Sequence, residues 1–504
     1  MKKGQQLHEL IHSMSKSEKR YFKVNSNKEC SIYERLFDLI CTQSTYDSGA
    51  LRQCLEQEKI KSPLTRIQHH LYQLVLASLA AFQKNKHPRY AVLHAIQQYI
   101  MLRDRGLHHQ GRQLLQKALK IAQQYNYYGL MLEIYDLMED WITEEMNYNK
   151  VLGHKQQLQD SMVKHLTYTS HIADLKEKIY ELRLFFLEHN FARTAEHKAF
   201  LLQYLSPCER ELKREQNQLK RRLLLTILVY VYYGLQDYKS LLLTEKRRLG
   251  LLDKDAFGAH ISPFLVYAYH RNLLWILLRN KNYAAHQLLV QKMQENDYWK
   301  GRFTSNFYAV KLEIAEKVTQ LYARVEQGHY RPAYHQIDQL WSFYQQTEKH
   351  WDSNLLVHAL IVFMNTTFCL GKYNETIDWL QWLERKIPPS DLLPYRNMGK
   401  IAHLLIHDGL GASQYIQNVL ESTRIRLYRK HAFFEVASLF LKFFKKKINR
   451  SVVVEEALLL EYKKKMEKVA VQEGQKGFFI LFNFVDWFDS KLQDCTIAAL
   501  NRNF

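Results

Sequence analysis

The chain has 504 residues, of which 47% are apolar and 13% aromatic, with only 8 prolines and 17 glycines. This composition is too apolar for a disordered chain. The scarcity of helix breakers, together with the near absence of alternating β-branched runs, predicts an all-α fold with almost no sheet. The net charge of +20 bears on partners rather than on fold, and it is compatible with nucleic acid, an acidic protein or an anionic surface.

The six cysteines are scattered without a CxxC spacing, so we expect reduced thiols in a cytoplasmic protein rather than a disulfide framework. The amino-terminal segment MKKGQQLHEL carries two lysines without an apolar core behind them, which is unlike a signal peptide. The stretch 354–371 has no formal charge for 18 residues, but Asn365, Thr366 and Thr367 interrupt its apolar character. We therefore expect a buried helix there and no membrane insertion.

Residues 1–89 are predicted to form an amino-terminal helical head. Ser15 and Glu18 have the spacing of a capping box, in which each side chain accepts a hydrogen bond from the other residue's backbone N–H. Periodicity places further helices at about 5–14, 32–41, 48–57 and 63–82. The stretch Ser15–Lys23, SKSEKRYFK, resembles one in long uncharacterised bacterial helical proteins. That resemblance carries no function with it.

The first predicted helix contains an HExxH motif, His8-Glu9-Leu10-Ile11-His12. On a helix this spacing puts two histidines on one face as zinc ligands, with the glutamate placed to activate a water molecule. Only seven residues precede His8, which leaves no upstream strand to hold a substrate. We interpret the segment as an amphipathic surface helix, with a zinc peptidase as the remote alternative.

From residue 90 to residue 424 the sequence predicts a series of helix pairs. An aromatic residue after a turn marks the second helix of each pair. The clear markers are Tyr238, Tyr283, Tyr330 and Tyr373, in steps of 45, 47 and 43 residues. Weaker markers extend the series backwards through Phe191, Tyr148 and His108, in steps of 47, 43 and 40 residues. A period of this length indicates an α-solenoid, whose pairs bury their apolar faces against their neighbours.

The residues that lie three, seven and ten positions after each marker are predicted to face the core. They hold Gly111, Leu115 and Ala118; His286, Val290 and Met293; Ala333, Ile337 and Leu340; and Thr376, Leu380 and Leu383. In the Tyr238 unit the last two positions hold Glu245 and Arg248. There Leu242 and Leu249 suggest a slip of one residue.

The unit 354–390 resembles a tetratricopeptide (TPR) repeat. In the second helix of that family a turn glycine precedes an aromatic, a small, a large apolar and a small residue, and then a proline. Gly371, Tyr373, Thr376, Leu380, Leu383 and Pro388 stand here in that order. The first helix departs from the family, because Met364 replaces a glycine and Thr367 a tyrosine. The resemblance implies a right-handed α-solenoid of antiparallel helix pairs.

In TPR-like pairs the first helix lines the concave side, so the resemblance also implies binding positions. The family's groove positions map onto Arg271 and Trp275, with Arg279 one step further, and onto His358 and Asn365 in the Tyr373 unit. The spacing i, i+4, i+8 puts the first three on one stripe of one helix. A guanidinium binds a carboxylate through two hydrogen bonds, and tryptophan offers a flat apolar surface. We expect an acidic or carboxylate-bearing peptide as the partner.

Residues 425–504 are predicted to be a basic, Phe-rich helical cap that covers the last core face of the solenoid. Its predicted basic patch consists of Lys442, Lys445, Lys446, Lys447, Lys463, Lys464 and Lys465. Lysines interleaved with aromatic residues suit nucleic acid, whereas the plain interpretation is a solvated lysine face opposite a buried phenylalanine face. A nucleic-acid-binding or regulatory protein is therefore the alternative function.

No glycine-rich phosphate loop, G-x-S-x-G or CxxC motif appears in the sequence. We accordingly predict no catalytic residue, no bound metal and no cofactor. The expected function is a non-enzymatic scaffold that binds a protein or peptide along the concave face of the solenoid.

Overall fold

The computed structural model describes residues 3–25, 31–57, 63–84, 87–144, 148–189, 191–192, 194–254, 263–295, 306–386, 393–429, 435–448, 455–471 and 484–500. Within these ranges 89% of the residues are helical and no strand occurs, which confirms the predicted all-α class. The helices are α1 (Lys3–Ser13), α2 (Lys16–Asn25), α3 (Ser31–Thr42), α4 (Ser48–Gln57), α5 (Leu64–Lys84), α6 (Pro88–Arg103), α7 (His108–Gln124), α8 (Tyr128–Glu144), α9 (Tyr148–His189), α10 (Ala195–Arg214), α11 (Gln218–Gly234), α12 (Tyr238–Lys254), α13 (Pro263–Arg279), α14 (Tyr283–Gln294), α15 (Asn306–Glu326), α16 (Tyr330–Thr347), α17 (Ser353–Cys369), α18 (Tyr373–Lys386), α19 (Leu393–Gly409), α20 (Ser413–Arg429), α21 (Glu435–Ile448), α22 (Glu455–Ala470), α23 (Phe484–Leu492) and α24 (Ile497–Leu500).

The head is built from α1 to α5 around its own apolar core, which includes Leu7, Phe37 and Leu71. The capping box between α1 and α2 forms as predicted. The Ser15 N–H donates to the Glu18 carboxylate at 2.8 Å, and the Glu18 N–H donates to Ser15 Oγ at 3.3 Å. These bonds satisfy backbone donors that the start of α2 would otherwise leave without partners.

Tight turns of one recurring kind join consecutive helices. In the turn after α17, Gly371 has a φ of +75°, and the Lys372 N–H donates back to the Thr367 carbonyl oxygen at 2.9 Å. This is the Schellman geometry, which satisfies carbonyl groups at a helix end. Residues with positive φ occupy the same place before seven helices: Gly106, Asn126, Gln236, Lys281, Gly328, Gly371 and Gly411. The last five follow one another in steps of 45, 47, 43 and 40 residues.

The predicted markers of the second helices coincide with helix starts in six of the seven units. The helices that begin there are α7, α9, α12, α14, α16 and α18. The core-facing positions assigned after His108, Tyr283, Tyr330 and Tyr373 are all buried. Leu380, for example, has no exposed surface. The register read from the sequence is therefore correct in these four units.

The suggested slip in the Tyr238 unit is wrong. Glu245 and Arg248 occupy the core-facing positions and are 0% and 4% exposed. The Arg248 guanidinium donates to the Glu245 carboxylate at 2.6 Å and lies 4.0 Å from the ring centroid of Tyr269 on α13. A buried charge needs a partner of opposite charge, and because each supplies the other, the column continues without a shift.

The unit predicted from the marker Phe191 does not form. Between Tyr148 and His189 the chain forms one continuous helix of 42 residues, where the series of markers predicts two. Phe191 starts no helix, because α10 begins at Ala195 with the Thr194 hydroxyl as its cap. The segment 154–189 contains neither glycine nor proline, so nothing in it interrupts helical hydrogen bonding.

One continuous cluster of buried side chains extends from Leu278 to Ile497 and so spans the predicted boundary at residue 424. In its carboxyl-terminal part, Phe440 and Phe443 from α21 pack on Trp487 from α23, with ring centroids 5.6 and 5.7 Å apart. Within the predicted cap, the described helix α23 runs from Phe484 to Leu492. The boundaries of the three predicted domains stay predictions.

Candidate functional site

The candidate site lies where the helices α13, α15 and α17 pack side by side. Helix α15 contacts both α13 and α17. Trp275 of α13 meets His358 of α17 with ring centroids 4.4 Å apart, and it meets Tyr322 of α15 at 5.1 Å in an edge-to-face arrangement. Trp275 and His358 are half-buried, whereas Tyr322 is buried. The structure thus brings two residues predicted from different units into direct contact.

The two predicted arginines, Arg271 and Arg279, lie one turn before and one turn after Trp275 on α13. Arg271 donates to the Asn272 side chain at 3.1 Å, and its guanidinium lies 5.3 Å from the ring centroid of Tyr267. Both arginines are half-buried. Within the described ranges neither arginine is in ion-pair contact with a carboxylate. Both nevertheless act electrostatically on nearby carboxyl groups, Arg271 on Glu245 and Arg279 on Glu326.

His358 contributes no positive charge to this site. Burial, Arg279 and Arg271 together lower the pKa of His358 to about 3, because an imidazolium there would lose hydration and face two like charges. The neutral imidazole can donate or accept a hydrogen bond at any ordinary pH. Burial raises the pKa of Glu326, and the positive charge of Arg279 opposes that rise.

A second set of contacts fixes the spacing of the three helices at the other end of the site. The Tyr267 hydroxyl donates to Asp352 Oδ2 at 3.2 Å, and Lys311 Nζ of α15 lies 3.9 Å from the same oxygen. The other oxygen of Asp352 caps α17 by accepting from the Leu355 N–H at 2.9 Å. One carboxylate thus links α13, α15 and α17, so the site is built on elements whose relative positions are fixed.

Asn365 lies seven residues beyond His358 on α17, which is about 10 Å along the helix axis. It accepts a hydrogen bond from the Cys369 thiol at 3.4 Å and is half-buried. Of the five predicted binding positions, Trp275 and His358 are in contact, Arg271 and Arg279 act electrostatically on His358, and Asn365 lies further along α17.

Sequence reasoning missed Tyr322, Tyr267 and Lys311. A signal for Tyr322 was present, because Trp275, Tyr322 and Asn365 each stand eight residues before the tyrosine that starts the next helix. The contacts of Tyr267 and Lys311 with Asp352 join residues 85 and 41 positions apart in the chain. No local pattern reveals such contacts.

The predicted basic patch is largely neutralised by carboxylates. Lys447 contacts Asp408 at 2.6 Å and Glu455 at 2.7 Å, and Lys463 contacts Asp489 at 2.6 Å. Lys446 and Lys465 both contact Glu461. Of the seven lysines only Lys442, Lys445 and Lys464 make no ion pair with another described residue, and all three are exposed. A phosphate backbone would meet much less free charge here than the sequence implies.

The two histidines of the HExxH motif make structural hydrogen bonds. The Nε2 atoms of His8 and His12 donate to the carbonyl oxygens of Gln43 and Ile40, at 3.0 and 2.9 Å. A carbonyl oxygen only accepts, so each of these nitrogens carries a proton and has no lone pair for a metal. Glu9 is exposed and accepts a hydrogen bond from Gln5. The motif therefore joins α1 to the end of α3.

No protein-family description, curated protein or solved structure matches the chain. Among the described residues, no helix combines the length and the apolar character that crossing a membrane requires.

Proposed function

We propose that this protein is a non-enzymatic scaffold that binds a protein or peptide segment across the first helices α13, α15 and α17. In this proposal the helix pairs form a right-handed, TPR-like solenoid whose concave side carries Arg271, Trp275, Arg279 and His358, with Asn365 further along. The observation that carries the proposal is the pair of arginines that flank a half-buried tryptophan, neither of which is within ion-pair distance of a carboxylate among the described residues.

The chemistry of the cluster suits an acidic or carboxylate-bearing segment. Each guanidinium offers two parallel N–H donors to a carboxylate. Partial burial strengthens the attraction, because less water screens it. Trp275 and His358 provide flat surface for an apolar side chain between two carboxylates. Tryptophan and arginine are also the residues that most often dominate binding energy at protein interfaces.

The cysteines fit a cytoplasmic location, which we include in the proposal. Cys41, Cys54, Cys208, Cys369 and Cys495 are free thiols. Burial raises the pKa of Cys208 to about 11 and keeps it in the thiol form. Unreactive free thiols are typical of a reducing compartment.

A charge-reversal experiment tests the proposal. Wild-type protein, Arg271→Glu/Arg279→Glu and Lys442→Glu/Lys445→Glu are used as baits in native lysate, and the captured proteins are quantified. The two variants change the charge equally, but the second alters exposed lysines outside the proposed site. We expect the first variant to capture at least tenfold less of the specific partners than wild type, and the control to capture as much as wild type. Partners that survive the first reversal, with the circular dichroism spectrum unchanged, would show that the site is elsewhere.

A further inference from the structure

Helix α9 has an apolar face that packs against nothing in the described chain. Its length of 42 residues corresponds to about 60 Å. One face, with Ile172, Leu175, Leu182 and Phe185, is buried in contacts that include α8 and α11. The opposite face carries large apolar side chains in solvent, from Leu152 at 45% exposed to Leu187 at 85%. Single exposed apolar residues are common, whereas a continuous stripe indicates an interaction surface.

The exposed stripe follows the heptad repeat of a coiled coil. Its a and d positions are 152, 156, 159, 163, 166, 170, 173, 177, 180, 184 and 187, and all of them are exposed. Seven of them hold apolar residues: Leu152, Val163, Leu166, Ala173, Tyr180, Leu184 and Leu187. A strict period of seven over about five heptads turns one seam of a helix towards a second helix rather than towards a globular core. We call this set of positions the α9 seam.

The charges beside the α9 seam are sorted by sign. The e positions carry Asp160, Asp174, Glu181 and Glu188, and the g positions carry Lys155, Lys176 and Arg183. All seven side chains are exposed. Neither flank contains a residue of the opposite sign, so one side of the seam is acidic and the other basic. In a coiled coil these flanking residues decide which helices pair and in which direction.

This sorting makes the seam complementary to itself in one orientation. In a parallel pair each g residue faces the e residue five positions later in the partner helix, which matches Lys155 with Asp160, Lys176 with Glu181 and Arg183 with Glu188. In an antiparallel pair e faces e and g faces g, so acids would meet acids and bases would meet bases. Like charges in these positions oppose pairing.

We propose that the chain forms a parallel homodimer through the α9 seam, with a two-fold axis running along the helix. The partner is a second copy of this chain, because only a helix with the same sorted flanks is guaranteed to match both sides. Gln156, Gln159, Ser170 and Glu177 interrupt the apolar seam, and all but Gln159 stand at a positions. A polar residue at such a position lowers stability but fixes the register of the two helices.

Light scattering and sedimentation of the full chain test the proposal. We expect wild-type protein to have twice the chain mass, and Leu184→Glu/Leu187→Glu to be monomeric at the same concentration with an unchanged circular dichroism spectrum. The matched control is Leu243→Glu on α12, which alters a leucine of similar exposure, 62%, and should stay dimeric. Glu177→Leu should strengthen the dimer at least tenfold. A monomeric wild type, or a dimer that the seam variants leave intact, would overturn the proposal.

Two further experiments test the orientation. Arg183→Glu should weaken the dimer and the addition of Glu188→Arg should restore it, because the pair is then rebuilt with its signs exchanged. In separate variants, Leu166→Cys and Tyr180→Cys should each cross-link to the same residue of the second copy under mild oxidation, with wild type as the control for the native cysteines. An antiparallel pair would bring at most one of these positions together, and that outcome would contradict the parallel arrangement.

Discussion

Replacement of Leu380 by alanine is expected to destabilise the protein by about 2–5 kcal/mol. Leu380 is fully buried on α18 and belongs to the continuous core cluster. The change removes three carbon atoms from a site without contact to water, so it loses their transfer free energy and leaves a cavity. The matched control is Leu288→Ala on α14, which alters a leucine 53% exposed and should cost less than about 0.5 kcal/mol.

Urea unfolding followed by tryptophan fluorescence measures this difference. Trp379 and Trp382 on α18 lie 5.1 and 4.8 Å from Trp341 on α16 by ring centroids, so they report on the affected region. A lower midpoint with an unchanged slope would show a loss of stability rather than a change in the unfolded state. A loss below about 0.5 kcal/mol for Leu380→Ala would mean that this column does not face the core, and the register of the repeats would be wrong.

Three other results are expected. Burial lowers the pKa of His286 to about 4, so the folded state favours the neutral ring. The free energy of unfolding should be unaffected above pH 6.5 and fall by up to about 3 kcal/mol as the pH drops towards 4. In acid titrations followed by circular dichroism, His286→Leu should flatten this dependence. His8→Ala and His12→Ala should each lower the free energy of unfolding by about 1 kcal/mol through the lost hydrogen bond, without changing the metal content measured by mass spectrometry. Stoichiometric zinc in the wild type that both variants lose would refute the structural role. Bulk DNA should bind weakly in salt titrations. A steep fall of DNA affinity with salt concentration, abolished by Lys442→Glu/Lys445→Glu, would support the nucleic-acid alternative instead.

The sequence predicts the helix starts and many of the buried positions well because helical periodicity and turn chemistry are local. Glycine adopts positive φ without strain, so Gly328 and Gly371 mark their turns plainly. Asn126, Gln236 and Lys281 adopt positive φ in equivalent turns. For Gln236 and Lys281 the left-handed conformation costs about 1–2 kcal/mol, which the hydrogen bonds of the turn can offset. These turns leave no strong signal, and the aromatic residue that follows is the better guide.

The parts that sequence reasoning missed depend on distant residues. Glu245 and Arg248 look like surface residues until each is seen to neutralise the other inside the core. The lysines of the carboxyl-terminal region look free, but Asp408 and Asp489 reach two of them from other helices. The stripe on α9 can be read from the sequence, yet only the packed structure shows that it faces solvent.

Selection from a randomised peptide library tests the central claim most directly, because it asks for peptide binding without knowledge of the natural partner. Immobilised wild-type protein should enrich sequences rich in Asp and Glu with an apolar residue between them. The selected peptides should bind Lys442→Glu/Lys445→Glu equally well and lose at least tenfold in affinity for Arg271→Glu/Arg279→Glu. No enrichment, or enriched peptides that bind the Arg271→Glu/Arg279→Glu variant as tightly as wild type, would contradict a peptide site on α13, α15 and α17.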